Sequence, residues 1–234
     1  DWLSDWEQTD YVAQLPPNPE VPEVGQIFLV DRPDSEQTTI YLGGLALDRR
    51  DPDYIPLAVM NAVLGGGPSA RLFLNLREEK GYTYGAYSSF SALKYPGSWR
   101  ASADVRTEVT GGALTEFLLE LERMRDEPVT EAELEEVKRS ILARFALSLE
   151  RPTSLLSYST TREIYGFPLD YWETYPERVM AVTPETVQSV AEKYLDSGTM
   201  QIVVVGDASE IRQVIEQFGP VELYDTEGDR IEDE

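Results

Sequence analysis

The 234 residues contain no histidine and no cysteine. The first absence removes imidazole as a general base, a proton shuttle or a metal ligand. The second removes thiolate nucleophiles and disulfides, while leaving every compartment open. An ordinary protein zinc site, which draws on those two side chains, cannot be built from this chain. No stretch approaches about 18 consecutive apolar residues, and the opening DWLSDWEQTD has neither a basic start nor an apolar core. The sequence therefore shows no membrane span and no signal peptide. Lysine is scarce, at positions Lys80, Lys94, Lys138 and Lys193 only.

Carboxylate is in excess. Asp and Glu number 43 against 20 Lys and Arg, for a formal net charge of -23. Such a surface repels phosphate backbones and excludes nucleic acid as a partner class. Scarce lysine and high acidity fit a salty milieu where screening removes self-repulsion, and they fit an acidic protein from an ordinary host equally well. A hydrophobic content of 41% over this length supports one large domain or two small ones. Because position 1 is Asp, an upstream segment (a leader, a domain or both) is expected.

Residues 1–25 include LPPNPEVPEVG, whose prolines favour an extended linker. Residues 26–225 read as one domain, and 226–234 as a frayed acidic tail. Ile27 to Val30 and Thr38 to Leu47 are apolar runs that predict paired strands around Arg32-Pro33-Asp34-Ser35. Asp51-Pro52 predicts a helix start, and a second helix is expected over Ser69 to Lys80, stopped by Gly81. Tyr82 to Leu93 and Ser98 to Arg106 predict a hairpin closed by a type II turn at Tyr95-Pro96-Gly97-Ser98.

Two long helices follow, one carrying Leu114, Phe117, Leu118 and Leu121, the other opened by the capping box Thr130-x-x-Glu133. Both are expected to cover the sheet. Helices at about 152–165, 170–180 and 184–195, a strand at Met200 to Val205, a helix at Ser209 to Phe218 and a strand at Val221 to Tyr224 complete the pattern. The order predicts an α+β fold with helices packed on a mainly antiparallel sheet.

Gly65-x-Gly67-x-x-Ala70 formally matches a dinucleotide fingerprint, but the preceding segment reads as a helix and no βαβ unit surrounds it. Gly65, Gly66 and Gly67 instead read as a connection between helices that lets backbone lie close to a bound chain. Arg77 falls in the last turn of its helix and Tyr84 on the strand beyond Gly81, so a guanidinium and a phenol, both suited to a peptide carbonyl or a developing oxyanion, can converge. The bland readings are a cation on a helix dipole and a half-buried strand aromatic. Tyr82 and Tyr87 line a chamber or pack. Glu78-Glu79, Asp104 and Glu108 are the nearest approach to a glycosidase carboxylate pair, and in so acidic a chain most such neighbours are solvated.

Taken together, LGGGPSARLF (64–73) and LREEKGYTY (76–84) resemble the second-half motif of the pitrilysin-type zinc peptidases, especially their mitochondrial-processing-peptidase-like branch. QIFLVDRP, DPDY at 51–54, PVTEAEL at 128–134 and IVVVGDA at 202–208 extend the likeness over roughly residues 25–225. The resemblance implies a chamber enclosed by two α+β halves, with zinc on a His-x-x-Glu-His helix of the first half. The second half supplies an Arg and a Tyr seven positions apart, which fall here on Arg77 and Tyr84. It implies a substrate-binding, non-catalytic half, inactive alone, whose partners are a zinc-binding half and a peptide. Zinc would reside in that partner half, and Arg71 would be structural. A periplasmic or extracellular location is favoured because bacterial relatives of this type are often exported. The alternative is a peptide-binding or scaffold subunit without hydrolysis.

Overall fold

Alternation of apolar and polar residues is strictest in β4 (Ser98–Arg106), where Trp99, Ala101, Ala103 and Val105 are buried and Arg100, Asp104 and Arg106 are exposed. In a computed structural model, which describes Asp5, Asp10 and residues 17–232, that strand lies between β3 (Thr83–Phe90) and β2 (Gln37–Leu45), antiparallel to both. Of the proline-rich run LPPNPEVPEVG, only Leu15 and Pro16 fall outside the described residues, as does most of the linker expected over residues 1–14. The full sheet runs β3-β4-β2-β5-β1-β6-β7, adding β1 (Ile27–Asp31), β5 (Gln201–Gly206), β6 (Val221–Tyr224) and β7 (Arg230–Ile231). β1 is parallel to β5 and β6, and every other pairing is antiparallel. The fold is α+β with a mainly antiparallel sheet, as the element order predicts.

The expected pairing of β1 with β2 does not form. β5 lies between them, parallel to β1 and antiparallel to β2, so Arg32-Pro33-Asp34-Ser35 crosses over it rather than closing a hairpin. The apolar run of β5 suits it for the sheet centre, and a strand so distant in sequence leaves no local trace at residues 27–47. At the other end, β7 pairs with β6 through Leu223↔Ile231 and Tyr224↔Arg230, so part of the expected frayed tail is a short return strand.

Leu29, Ile40, Leu42, Ala101, Val105 and Val204 form one wholly buried face of the sheet. Against it pack α1 (Tyr54–Leu64), α3 (Thr110–Asp126) and α8 (Ala208–Ile215), with α7 (Pro184–Tyr194) behind α1 and α3. The first helix starts later than Asp51-Pro52 suggests, because Asp51 accepts the Asp53 N–H at 2.8 Å and so makes a turn before the helix. The second correction concerns α4 (Glu131–Ser148), which packs on α1 and α6 (Tyr175–Met180) instead of the sheet. Its stripe ends in Phe145, which meets the rings of Tyr175 at 4.8 Å and Trp172 at 6.2 Å, while Tyr158 of α5 (Pro152–Tyr165) meets Trp172 at 4.4 Å. These rings give α4 a helical partner of their own. No described helix is long and apolar enough to cross a membrane.

The β3–β4 hairpin forms with Phe90 opposite Trp99, but Gly97 does not take the positive φ that a type II turn demands. Gly97 instead prolongs the β2–β4 pairing, donating to the Leu47 carbonyl and accepting from the Ala46 N–H at 2.8 Å. A side chain there would collide with the Ser91 carbonyl, so glycine is required by close approach and not by handedness.

Asn61, on α1, ties the helix layer to the hairpin. Its Oδ1 accepts from Ser88 Oγ at 2.8 Å and from Trp99 Nε1 at 3.0 Å, and its Nδ2 donates to the Ser88 carbonyl at 3.3 Å. The Gly65 carbonyl then accepts the Ser88 N–H at 2.9 Å. A Cβ on Gly65 would sit 2.4 Å from that nitrogen, whereas a Cβ on Gly67 would meet nothing within 4 Å. Gly65→Ala is therefore expected to cost about 2 kcal/mol or more, and Gly67→Ala less than about 0.5 kcal/mol, by urea unfolding. Equal costs would contradict the close-approach account.

Burial raises the Tyr175 phenol to about 12 from an ordinary 10.0, reinforced by Tyr54 and Tyr158 and opposed by Arg49. A raised phenol contributes stability that is complete below the unfolded-state value, about 10, and is lost as pH climbs through the folded value. Tyr175→Phe should flatten the fall in Tm between pH of about 10 and 12. Parallel Tm curves for the two proteins would refute this.

Candidate functional site

The helix expected over Ser69 to Lys80 is not uniformly α. After a single α-turn, α2 (Arg71–Phe73), the backbone widens into a π segment, Leu74–Glu79, in which the Lys80 N–H reaches the Asn75 carbonyl at 2.9 Å. Four residues of this stretch, Leu72, Phe73, Asn75 and Leu76, are buried together. Asn75 uses its buried Nδ2 to bond Glu116 at 2.9 Å and Glu120 at 2.8 Å, both on α3. Lys80 adds an ion pair to Glu116 at 2.9 Å. That pair raises the Lys80 ammonium; at Glu116, burial pushes upward but is outweighed by the Asn75 and Lys80 bonds, which leave its carboxyl below the usual range. π-Bulges of this kind are frequent at functional sites.

Arg71, at the head of this stretch, forks onto Glu133 through Nε and Nη2, each at 2.8 Å. Thr130 caps α4 by accepting the Glu133 N–H, so Glu133 uses its carboxylate on Arg71 rather than completing a capping box. The salt bridge fixes α2 to α4, a structural role.

Arg77 lies at the exposed surface of the π segment. Its guanidinium contacts the Glu78 carboxylate and stands 5.0 Å from the Phe73 ring centroid, and Phe73 in turn packs on Tyr87 at 5.6 Å. Beyond it Gly81 takes a left-handed φ of 64°, and its carbonyl accepts from Arg106 at 2.9 Å. The strand then bulges between Thr83, opposite Val105, and Ala86, opposite Ala103. A bulge re-aims the side chains it carries, and Tyr84, at 90% exposed, is the result. Thr83 Oγ1 pins the bulge by donating to the Asp104 carbonyl at 2.6 Å.

Arg77 and Tyr84 thus stand on either side of one braced turn, but no hydrogen bond joins them among the described residues. Tyr84 borders a cavity of about 550 Å³ whose wall also includes Glu36, Tyr82, Asp104, Arg106 and Glu108; Arg77 lies outside that wall. Tyr82 is half-buried and packs its ring over Gly112 of α3, which makes it a wedge as well as a cavity residue. Arg106 is the residue the motif does not flag. Its only sequence signal is period two in β4, which puts it on the polar face.

Gly65 lies against Ser88 of β3 and Gly66 against Ala62 of α1, whereas Gly67 has no such neighbour and, with Gly66, borders a cavity of about 180 Å³. The segment before them is helical, so the dinucleotide reading has no structural basis. Glu78, Glu79 and Glu108 each engage a cation, and Asp104 accepts from Thr39 at 2.6 Å. Backbone and Arg106 hydrogen bonds hold Glu108 below the usual carboxylate range, the opposite of a general acid. Among the described residues no group of three or more His, Cys, Asp or Glu could hold a metal, so the donors present do not fit zinc.

With this geometry in hand, the relatives of the chain are informative. Residues 1–141 match the family model described as the Peptidase M16 inactive domain, a match that includes the proline-rich segment. The chain is 30% identical over 194 residues to the uncharacterized zinc protease Rv2782c of Mycobacterium tuberculosis, covering 82% of this chain and 44% of that protein. It is 26% identical over 209 residues to the rat mitochondrial-processing peptidase subunit alpha, covering 81% and 38% respectively. A peptidase M16 inactive domain from Pseudomonas fluorescens superposes with a TM-score of 0.77 at 28% identity, over 84% of this chain and 46% of that one. The chain spans less than half the length of each. The match over more than half of its residues, together with the shared fold, bears out the resemblance read in its motifs: the chain belongs to the Peptidase M16 inactive-domain family, a non-catalytic half among zinc proteases.

Proposed function

We propose that this chain is the substrate-gripping half of a two-part zinc peptidase, with Arg77 and Tyr84 as its donors to the bound peptide. The observation that carries the reading is the braced turn at Gly81, which holds an exposed guanidinium and a 90% exposed phenol on neighbouring, rigidly anchored segments. A side chain so exposed contributes little to the fold and is free to donate. Both groups are donors suited to a scissile carbonyl, whose oxygen gains negative charge as hydrolysis proceeds. The hydrolytic chemistry itself belongs to a partner half with a His-x-x-Glu-His motif, which this histidine-free chain cannot supply. The roles of this chain's residues are to bind and to orient.

One observation favours a second reading. Arg77 is already engaged by Glu78 and by the Phe73 ring, as expected of a surface residue in a scaffold or peptide-binding subunit without hydrolysis. Peptide hydrolysis by the chain mixed with its zinc-loaded partner half separates the two. The proposal expects no activity from the chain alone and activity in the mixture. Arg77→Ala and Tyr84→Phe should each lower kcat/KM by about a hundredfold, with the Tm of the chain unchanged. A verified complex that fails to hydrolyse, or one indifferent to both substitutions, would leave the scaffold reading.

A further inference from the structure

On the helix side of the molecule, away from Arg77 and Tyr84, one buried and one half-buried arginine sit in aromatic surroundings. Arg49 is 7% exposed, and its guanidinium carbon lies 3.5 Å from the Tyr54 ring centroid, 5.2 Å from that of Phe167 and 5.6 Å from that of Tyr171. Its Nη1 donates to Tyr171 Oη at 2.8 Å. Arg178 stacks 4.0 Å from the same Tyr171 ring and donates Nη2 to the Tyr171 carbonyl, while its Nε is buried without a partner. Neither guanidinium has an ion-pair partner among the described residues. In a chain where carboxylates number 43 and cations 20, that is a conspicuous omission. Ring faces recover part of the desolvation of a buried cation, but a second, half-buried cation beside it calls for an anion.

Both arginines open onto one cavity of about 410 Å³, walled also by Tyr54, Ile55, Phe167 and Val182. The first turns of α1 and α7 border it through Ile55 and Thr186, so their positive ends reinforce the arginines. Asp51 shares the wall, but its Oδ1 holds the Asp53 N–H at 2.8 Å and it pairs with neither arginine; Arg50, also present, pairs with Asp48 at 3.2 Å. Burial raises the Tyr54 phenol above its ordinary value, against an opposing pull from Arg49, so its hydroxyl is a donor at neutral pH.

We infer that this cavity binds an organic carboxylate with an apolar or aromatic body. Arg49 and Arg178 take the carboxylate through guanidinium donors not used within the protein, and Ile55, Phe167 and Val182 take the body. The site is independent of peptide hydrolysis.

The test is titration of the 234-residue chain with 3-phenylpropionate and with its neutral isostere 3-phenylpropanamide, by calorimetry and by amide chemical shifts. The acid should bind saturably, with shifts centred on the Arg49–Tyr54 and Phe167–Arg178 segments, and at least about tenfold tighter than the amide. Arg178→Gln should abolish that preference, Arg178→Lys should retain part of it, and Arg100→Gln, on the opposite sheet face, should leave it intact. The acid-against-amide comparison needs no variant and stands even if a substituted protein misfolds. Equal binding of acid and amide, no saturable binding at millimolar probe, or an unchanged preference in folded Arg178→Gln would overturn the proposal.

Discussion

The architecture depends on one buried polar junction. Asn61 sends its amide from the middle of α1 into the β3–β4 hairpin, where it satisfies Trp99 Nε1 and both the hydroxyl and carbonyl of Ser88. Trp99 is wholly buried, and an unpaired indole N–H there would carry the full cost of desolvation. Because Ser88 also donates its N–H to Gly65, the end of α1 and the middle of β3 are locked at a fixed distance and register. Networks satisfied in this way specify a single arrangement more strongly than apolar packing does.

That lock determines where the candidate donors stand. The chain leaving Gly65 must reach β3 again within about twenty residues, and it does so through α2, the π segment and the Gly81 turn. Asn75 and Lys80 bind the π segment to α3, Arg71 binds its head to α4, and Arg106 braces the turn from β4. Three separate elements therefore fix the backbone beneath Arg77 and Tyr84 while their side chains stay exposed. A rigid backbone beneath exposed side chains is what the proposed gripping role requires of this turn.

Much of this was legible in the sequence where the determinant is local. The two-residue alternation of β4 and the position of Gly81, which takes its positive φ, all lie within a few residues of their effect. The motif from Leu64 to Tyr84 carried the family. What could not be read depends on partners distant in sequence. The insertion of β5 between β1 and β2 is set by a strand far downstream. The π widening answers to carboxylates on α3, and the displacement of α4 from the sheet answers to rings on α5, α6 and the turn before it. The bulge that exposes Tyr84 leaves no signal in the polar and apolar pattern of β3, because Gly85 has no side chain to place on either face. The two arginines of the aromatic cavity read in sequence as ordinary charged residues.

The central claim is that the braced turn presents Arg77 and Tyr84 to a peptide lying between two halves. A crystal structure of the chain assembled with its zinc-binding half and an uncleaved peptide analogue tests it most directly. The account predicts the Arg77 guanidinium and the Tyr84 hydroxyl within hydrogen-bonding distance of peptide carbonyl oxygens next to the scissile bond, with the backbone from Leu74 to Ala86 unmoved. A peptide seated elsewhere, with Arg77 still on Glu78 and Tyr84 still in solvent, would contradict it.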